Sequence, residues 1–204
     1  MNPTAPWRNN FSVFVMTPLP STSTMRKIIF AFLFSLLLPF GGEAQKSVSQ
    51  LLPAHAAALQ QFLSKHPSLE FLSESDYDRE ALKDMRKRFG AHFMPYYQVG
   101  DFNHDGRQDF ALVLAKRTPP KKDPALADTH RFQYELTVVV FNGLAGGAYR
   151  AVFVKNTTAP LVCFLAVSQE KKSKLYFAIY ETDAGFVLMP EGQGYIAEGL
   201  RVGD

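Results

Sequence analysis

An α+β fold is the class this sequence predicts: two N-terminal helices followed by a largely antiparallel sheet of seven to eight strands. Three observations predict it. Apolar residues between Ser47 and Lys65 recur at three- and four-residue spacings, the pattern of an amphipathic helix. A mixed-charge run from Tyr77 to Phe89 supplies a second helical segment. Beyond Ala91 the period changes to that of strands, in short segments parted by Gly, Pro, Asn or Lys clusters. Strands so closely spaced favour antiparallel pairing.

The first helix carries Val48, Leu51, Leu52, Ala56, Leu59, Phe62 and Leu63 on one face. Pro53 is tolerated only in a first turn, so the helix should begin near Leu52, and His66-Pro67 ends it. In the second, Ser75-Asp76 reads as the cap and Gly90 as the stop, with Arg86, Lys87 and Arg88 in the last turn, where the helix dipole favours cations. Strand segments follow at Tyr96–Val99, Phe110–Ala115, Phe132–Phe141, Tyr149–Lys155, Val162–Ser168, Leu175–Tyr180, Phe186–Met189 and Tyr195–Glu198. Asn142-Gly143 is a strong hairpin-turn signal, and Glu181–Gly185 reads as another tight turn. Thr118–His130 is too proline-rich and polar for a strand and reads as a long loop.

With 204 residues, 47% hydrophobic and 20% charged, the chain can build one good core. Its N-terminal part reads differently. Met25-Arg26-Lys27 precedes the apolar run Ile28–Leu38, after which come Pro39, Phe40 and Gly41-Gly42-Glu43-Ala44. A basic start, a short apolar stretch and small residues before a cleavage point describe a secretory signal peptide, residues 25–44. Residues 1–24, rich in Pro, Ser, Thr and Asn, then read as a mis-assigned start or a disordered leader, with Met25 as the initiator. Cleavage after Ala44 leaves a single domain, 45–204, exported to a periplasmic or extracellular location. An uncleaved membrane anchor is the rival reading. The formal charge of +3 falls to about +1 once the leader's Arg8, Arg26, Lys27 and Glu43 are removed. With no basic stripe, nucleic acid is a poor partner. Lys121-Lys122 and Lys171-Lys172-Ser173-Lys174 read as solvated loop tips, and the lone Cys163, inside PLVCFLAV, as a buried apolar group.

The sharpest motif is GDFNHDGRQDFALVL, Gly100–Leu114. It places Asp101, Asn103, Asp105, Arg107 and Asp109 at alternate positions with Gly106 in the bend. Calcium takes six to eight oxygens, and alternate side chains on a curled loop can converge on one ion. Asp101, Asn103 and Asp105 would each offer a side-chain oxygen, Arg107 its backbone carbonyl and Asp109 a further carboxylate. Magnesium, which prefers a smaller and wetter octahedron, fits less well. The helix–loop–helix form of such a site needs a glutamate at its twelfth position, where this chain has the strand residue Leu112.

With strands on both sides, the DxNxDGxxD loop resembles the calcium loops of FG-GAP and VCBS repeats. The resemblance spans about Tyr96–Leu114 and implies Asp101, Asn103, Asp105, Arg107 and Asp109 as ligands. No second copy occurs, so a full propeller is not implied. The layout is similar to that of small exported bacterial proteins carrying one such loop. A metal-free polar turn is the competing reading, since Asp, Asn and Gly favour turns on their own.

No other motif competes. The five histidines show no HxxxH spacing, and no GxSxG elbow occurs. Asn156-Thr157-Thr158 fits a glycosylation sequon, without meaning in a bacterial chain. Tyr96, Tyr97, Tyr134, Tyr149, Tyr176, Tyr180 and Tyr195 lie on or beside strands, where half-burial is natural, although exposed ones could present a glycan or peptide surface. The expectation is an exported module with one structural calcium ion, non-catalytic, binding a protein or glycan or associated with the envelope. The alternative is a secreted hydrolase acting on wall or extracellular polymer. A membrane-anchored subunit would require segment 28–40 to be retained.

Overall fold

The structure, a computed structural model, describes residues 50–126, 130–168 and 173–200. The expected leader, the expected signal segment, Lys171 and Lys172 lie outside the described residues.

Helix α1 runs Pro53–Lys65 with proline in its first turn, where no intrahelical amide bond is lost. Strand β1 (Leu69–Phe71) and a short 3-10 turn (Glu74–Asp76) separate it from helix α2 (Arg79–Phe89). The cap of α2 is Asp78, whose carboxylate accepts from the Ala81 amide at 2.9 Å. Ser73 and Asp76 instead cap each other across the 3-10 turn, so the expected cap at Ser75-Asp76 is displaced by one local turn. Gly90 closes α2 at φ 103°, a conformation suited to glycine.

Nine further strands follow among the described residues: β2 (Tyr97–Gly100), β3 (Asp109–Lys116), β4 (Lys121–Lys122), β5 (Phe132–Gly143), β6 (Tyr149–Ala159), β7 (Cys163–Val167), β8 (Leu175–Ile179), β9 (Gly185–Glu191) and β10 (Gly194–Gly199). They form two antiparallel sheets rather than one. The first has six strands, β1 to β6, around the central pair β3–β5; the second is the four-stranded meander β7–β8–β9–β10. Strands β1 and β2 share one edge of β3, β1 covering residues 114–116 and β2 residues 109–112.

This corrects the expected α+β layout of two leading helices and a single sheet of seven to eight strands. The protein is mostly sheet, a strand sits between its two helices, and the strands divide into sheets of six and four. The reason lies in β3 and β5. Residues 109–115 of β3 and 136–143 of β5 are buried at every position. A strand apolar on both faces must be covered on both. Phe110, Leu112, Leu114, Val139 and Phe141 pack with Leu59 and Phe62 of α1. Ala111, Val113, Leu136, Val138 and Val140 face the other way, onto Leu165, Leu175, Phe177 and Leu188 of the second sheet and Ala81 and Leu82 of α2. Each large apolar side chain so buried contributes roughly 1.5–3 kcal/mol.

The turn expected at Asn142-Gly143 is also corrected. Both residues continue β5, paired with Arg150 and Tyr149, and the reversal comes at Leu144–Ala148 with Gly146 and Gly147 at positive φ. The segment Thr118–His130 is not wholly loop, since Lys121 and Lys122 pair with Gln133 and Phe132. Cys163 is fully buried, and burial pushes its thiol pKa up.

Candidate functional site

The acidic motif connects two paired strands. Gly100 of β2 sits opposite Asp109 of β3, and residues 101–108 form the loop between them. The loop is held by its own side chains. Asp101 accepts from the amides of Asp105 (3.0 Å) and Gly106 (2.9 Å) through its two carboxylate oxygens. Asn103 Oδ1 accepts from the same Asp105 amide at 3.0 Å, and Asp105 Oδ1 from the Arg107 amide at 2.9 Å. Two oxygens on one amide place Asp101 and Asn103 at the same point of the loop. Gly106 takes φ 82° and His104 φ 61°, so two residues adopt the left-handed region within three positions. The Arg107 guanidinium reaches Asp105 at 3.2 Å, a cationic contact with one of the acidic groups.

Between the polar positions, Phe102 is buried with 1% exposure and ties the loop to the core. Gly100 makes room for it: a Cβ there would meet the Phe102 ring at 2.7 Å.

Asp109 differs from the other acidic residues, since it is fully buried. Its Oδ1 accepts from the Gly143 amide at 2.9 Å. Its Oδ2 accepts from the Phe102 amide at 2.9 Å and, more weakly, from Asn103 at 3.3 Å. The Tyr195 hydroxyl lies 3.3 Å from Oδ2 and donates to Asn142 Oδ1 at 2.9 Å. Burial raises the Asp109 pKa, and the amides of Gly143, Phe102 and Asn103 oppose that rise. Burial likewise pushes the Tyr195 phenol up, with the charge of Asp109 acting in the same direction.

The fold thus brings Asp101, Asn103, Asp105 and Arg107 together on one curl and sets Asp109 beneath it, engaged by strand and loop amides. Among the described residues no group of three or more His, Cys, Asp or Glu side chains forms a metal-holding cluster. The donor set on the curl is nonetheless all oxygen, which suits a hard cation and would be a poor site for zinc or copper. Each carboxylate or amide oxygen that accepts one backbone hydrogen bond retains a second lone pair.

Sequence reasoning missed four residues that build this site. Phe102, Asn142, Gly143 and Tyr195 come from the loop, β5 and β10, and no local spacing links them. Gly143 is the least replaceable: a Cβ there would lie 2.4 Å from the Gln108 carbonyl oxygen. His104 reaches the Ser173 carbonyl with its Nε2 at 3.1 Å. The Glu181–Gly185 segment is a turn, as expected, with Ile179 N–H donating to Ala184 O at 3.1 Å.

No protein-family model, no curated protein and no solved structure matches the chain. What the geometry defines is a class: a two-sheet, mostly antiparallel β protein with an acidic hairpin loop anchored on a buried aspartate.

Proposed function

We propose that the protein is an exported calcium-binding module, non-catalytic, in which one ion stiffens the loop 101–108 and thereby the β2–β3 hairpin. The observation that carries this reading is the folding of Asp101, Asn103 and Asp105 back over the amides of residues 105–107. It leaves a curl of oxygens whose like charges a divalent cation would offset. Asp101, Asn103 and Asp105 would hold the ion by side-chain oxygens and Arg107 by its carbonyl, with Asp109 the remaining oxygen donor of the motif. The export component rests on the signal-like segment 25–44. Among the described residues no helix is long and apolar enough to cross a membrane. A protein or glycan on the surface of the module, or association with the envelope, is the partner this reading implies.

Thermal melting of the purified protein during calcium titration tests it. At a hundredfold excess over Kd, calcium should raise Tm by roughly 5–10 °C. Magnesium should do much less, and Asp101→Asn with Asp105→Asn should remove the calcium response. An unchanged Tm at millimolar calcium would sink the proposal.

A further inference from the structure

A second concave site shares no residue with the acidic loop. It is a cavity of about 270 Å³ between the C-terminal end of α2 and the turn that joins β8 to β9. That volume is near the lower limit of the roughly 300–1,000 Å³ found for small-molecule sites, so it suits a compact ligand. Its floor is apolar, formed by Met85, Phe164 and Ala178, while Arg88, Glu181 and Asp183 carry charge at its rim. Phe164 belongs to an aromatic group with Phe93 and Phe89, at centroid distances of 6.2 and 5.9 Å. Phe89, which packs on Phe164, is 45% exposed.

The rim charges are what distinguish this cavity from an ordinary surface dip. Along α2, Lys83 pairs with Glu80, Arg86 with Glu74 and Lys87 with Asp84. Arg88 makes no ion pair among the described residues, and neither does Asp183, although both line one cavity. Glu181 sits beside the Tyr180 hydroxyl and is held at φ 57°, a left-handed conformation rare outside glycine. The Tyr180 hydroxyl in turn donates to Asp84 at 3.1 Å, tying the turn to α2. The Thr182 hydroxyl is committed to the turn itself, donating to Ile179 O and accepting from Ala184 N–H. A cation and carboxylates of opposite sign, unpaired across an apolar floor, are complementary to a molecule that carries both charges and an apolar group.

We propose that this cavity binds a small zwitterion with an apolar side chain, of the class of a free aliphatic or aromatic amino acid. Arg88 takes the carboxylate, whose planar shape matches the guanidinium fork. The Glu181–Asp183 turn takes the ammonium, and Met85 with Phe164 receives the side chain.

Calorimetric titration of the full chain with L-leucine and L-phenylalanine tests the proposal. N-acetyl-L-leucine lacks the ammonium and L-leucinamide the carboxylate, so each removes one arm. Saturable binding of both amino acids is expected, weakened about tenfold or more for either derivative. Arg88→Gln should weaken L-leucine by a similar factor while leaving L-leucinamide unchanged, and Asp183→Asn should do the same toward the N-acetyl form. Both side chains are exposed, so these variants should keep the wild-type melting curve. Absence of saturable binding to either amino acid overturns the proposal. So does equal affinity for L-leucine and its two derivatives, or full L-leucine affinity in both variants.

Discussion

The hydroxyl of Tyr195 donates to the side-chain oxygen of Asn142 at 2.9 Å, joining the last described strand of the second sheet to the longest strand of the first. Both residues are more than nine-tenths buried, and Asp109 lies within 3.3 Å of the same hydroxyl. The acidic loop is therefore connected to both sheets through one polar cluster inside an apolar core. A fully satisfied cluster of this kind fixes register, and a partly satisfied one is costly.

Removing the hydroxyl should show this. Tyr195→Phe keeps the ring against Phe153 but leaves the Asn142 oxygen without its donor. A loss of about 1–2 kcal/mol is expected, read as a lower urea midpoint at unchanged m-value.

Asp109 and Asp101 should respond differently to truncation without calcium. Asp109→Ala strands the buried amides of Gly143 and Phe102, for roughly 2–5 kcal/mol. Asp101→Ala exposes the amides of Asp105 and Gly106 to water, which can replace the lost acceptor, so the cost should stay below about 1 kcal/mol. Equal losses in calcium-free urea denaturation would contradict the division between buried anchor and solvated curl.

Gly143→Ala tests the close approach of β5 to the loop. With a backbone oxygen 2.4 Å from the new Cβ, the chain itself must move. A loss of about 1–3 kcal/mol is expected by thermal or urea denaturation, whereas Gly199→Ala, with open space around it, should be nearly neutral.

His55 makes stability depend on pH. It is fully buried in α1, stacked on Phe110 at 4.1 Å, with Nδ1 2.7 Å from the Tyr97 hydroxyl and Nε2 without a hydrogen-bond partner among the described residues. Burial lowers its pKa from 6.5 to about 4. The unfolded chain takes up the proton first, so this stabilisation is complete above about pH 6.5 and is lost as pH falls toward 4. The full effect is at most about 3 kcal/mol. His55→Phe preserves the stack and should flatten the stability profile over that window.

The local elements were legible in the residues themselves. Pro53 marked the start of α1, Gly90 the end of α2, and the alternating or continuously apolar runs the major strands. The acidic loop was legible too, since its Asx and Gly spacing acts through bonds within seven residues. Asn142-Gly143 misled because a turn signal is only a local preference, and here Gly143 is required by the Gln108 carbonyl of the acidic loop. The short strands β1 and β4 have too few residues to carry a period, and they exist because β3 and β5 offer them an edge.

By itself, then, the sequence determined where the helices and the longer strands lie and where the acidic loop curls, because those choices rest on backbone sterics and near-neighbour hydrogen bonds. Only the tertiary structure decided that the strands split into two sheets, since β3 and β5 needed cover on both faces. It also decided that Asp109 sits beneath the curl rather than on it, held by Gly143 and neighboured by Tyr195, partners 34 and 86 residues away. Buried polar groups must find acceptors and donors wherever the packing places them, and that distance in sequence is what no local pattern records.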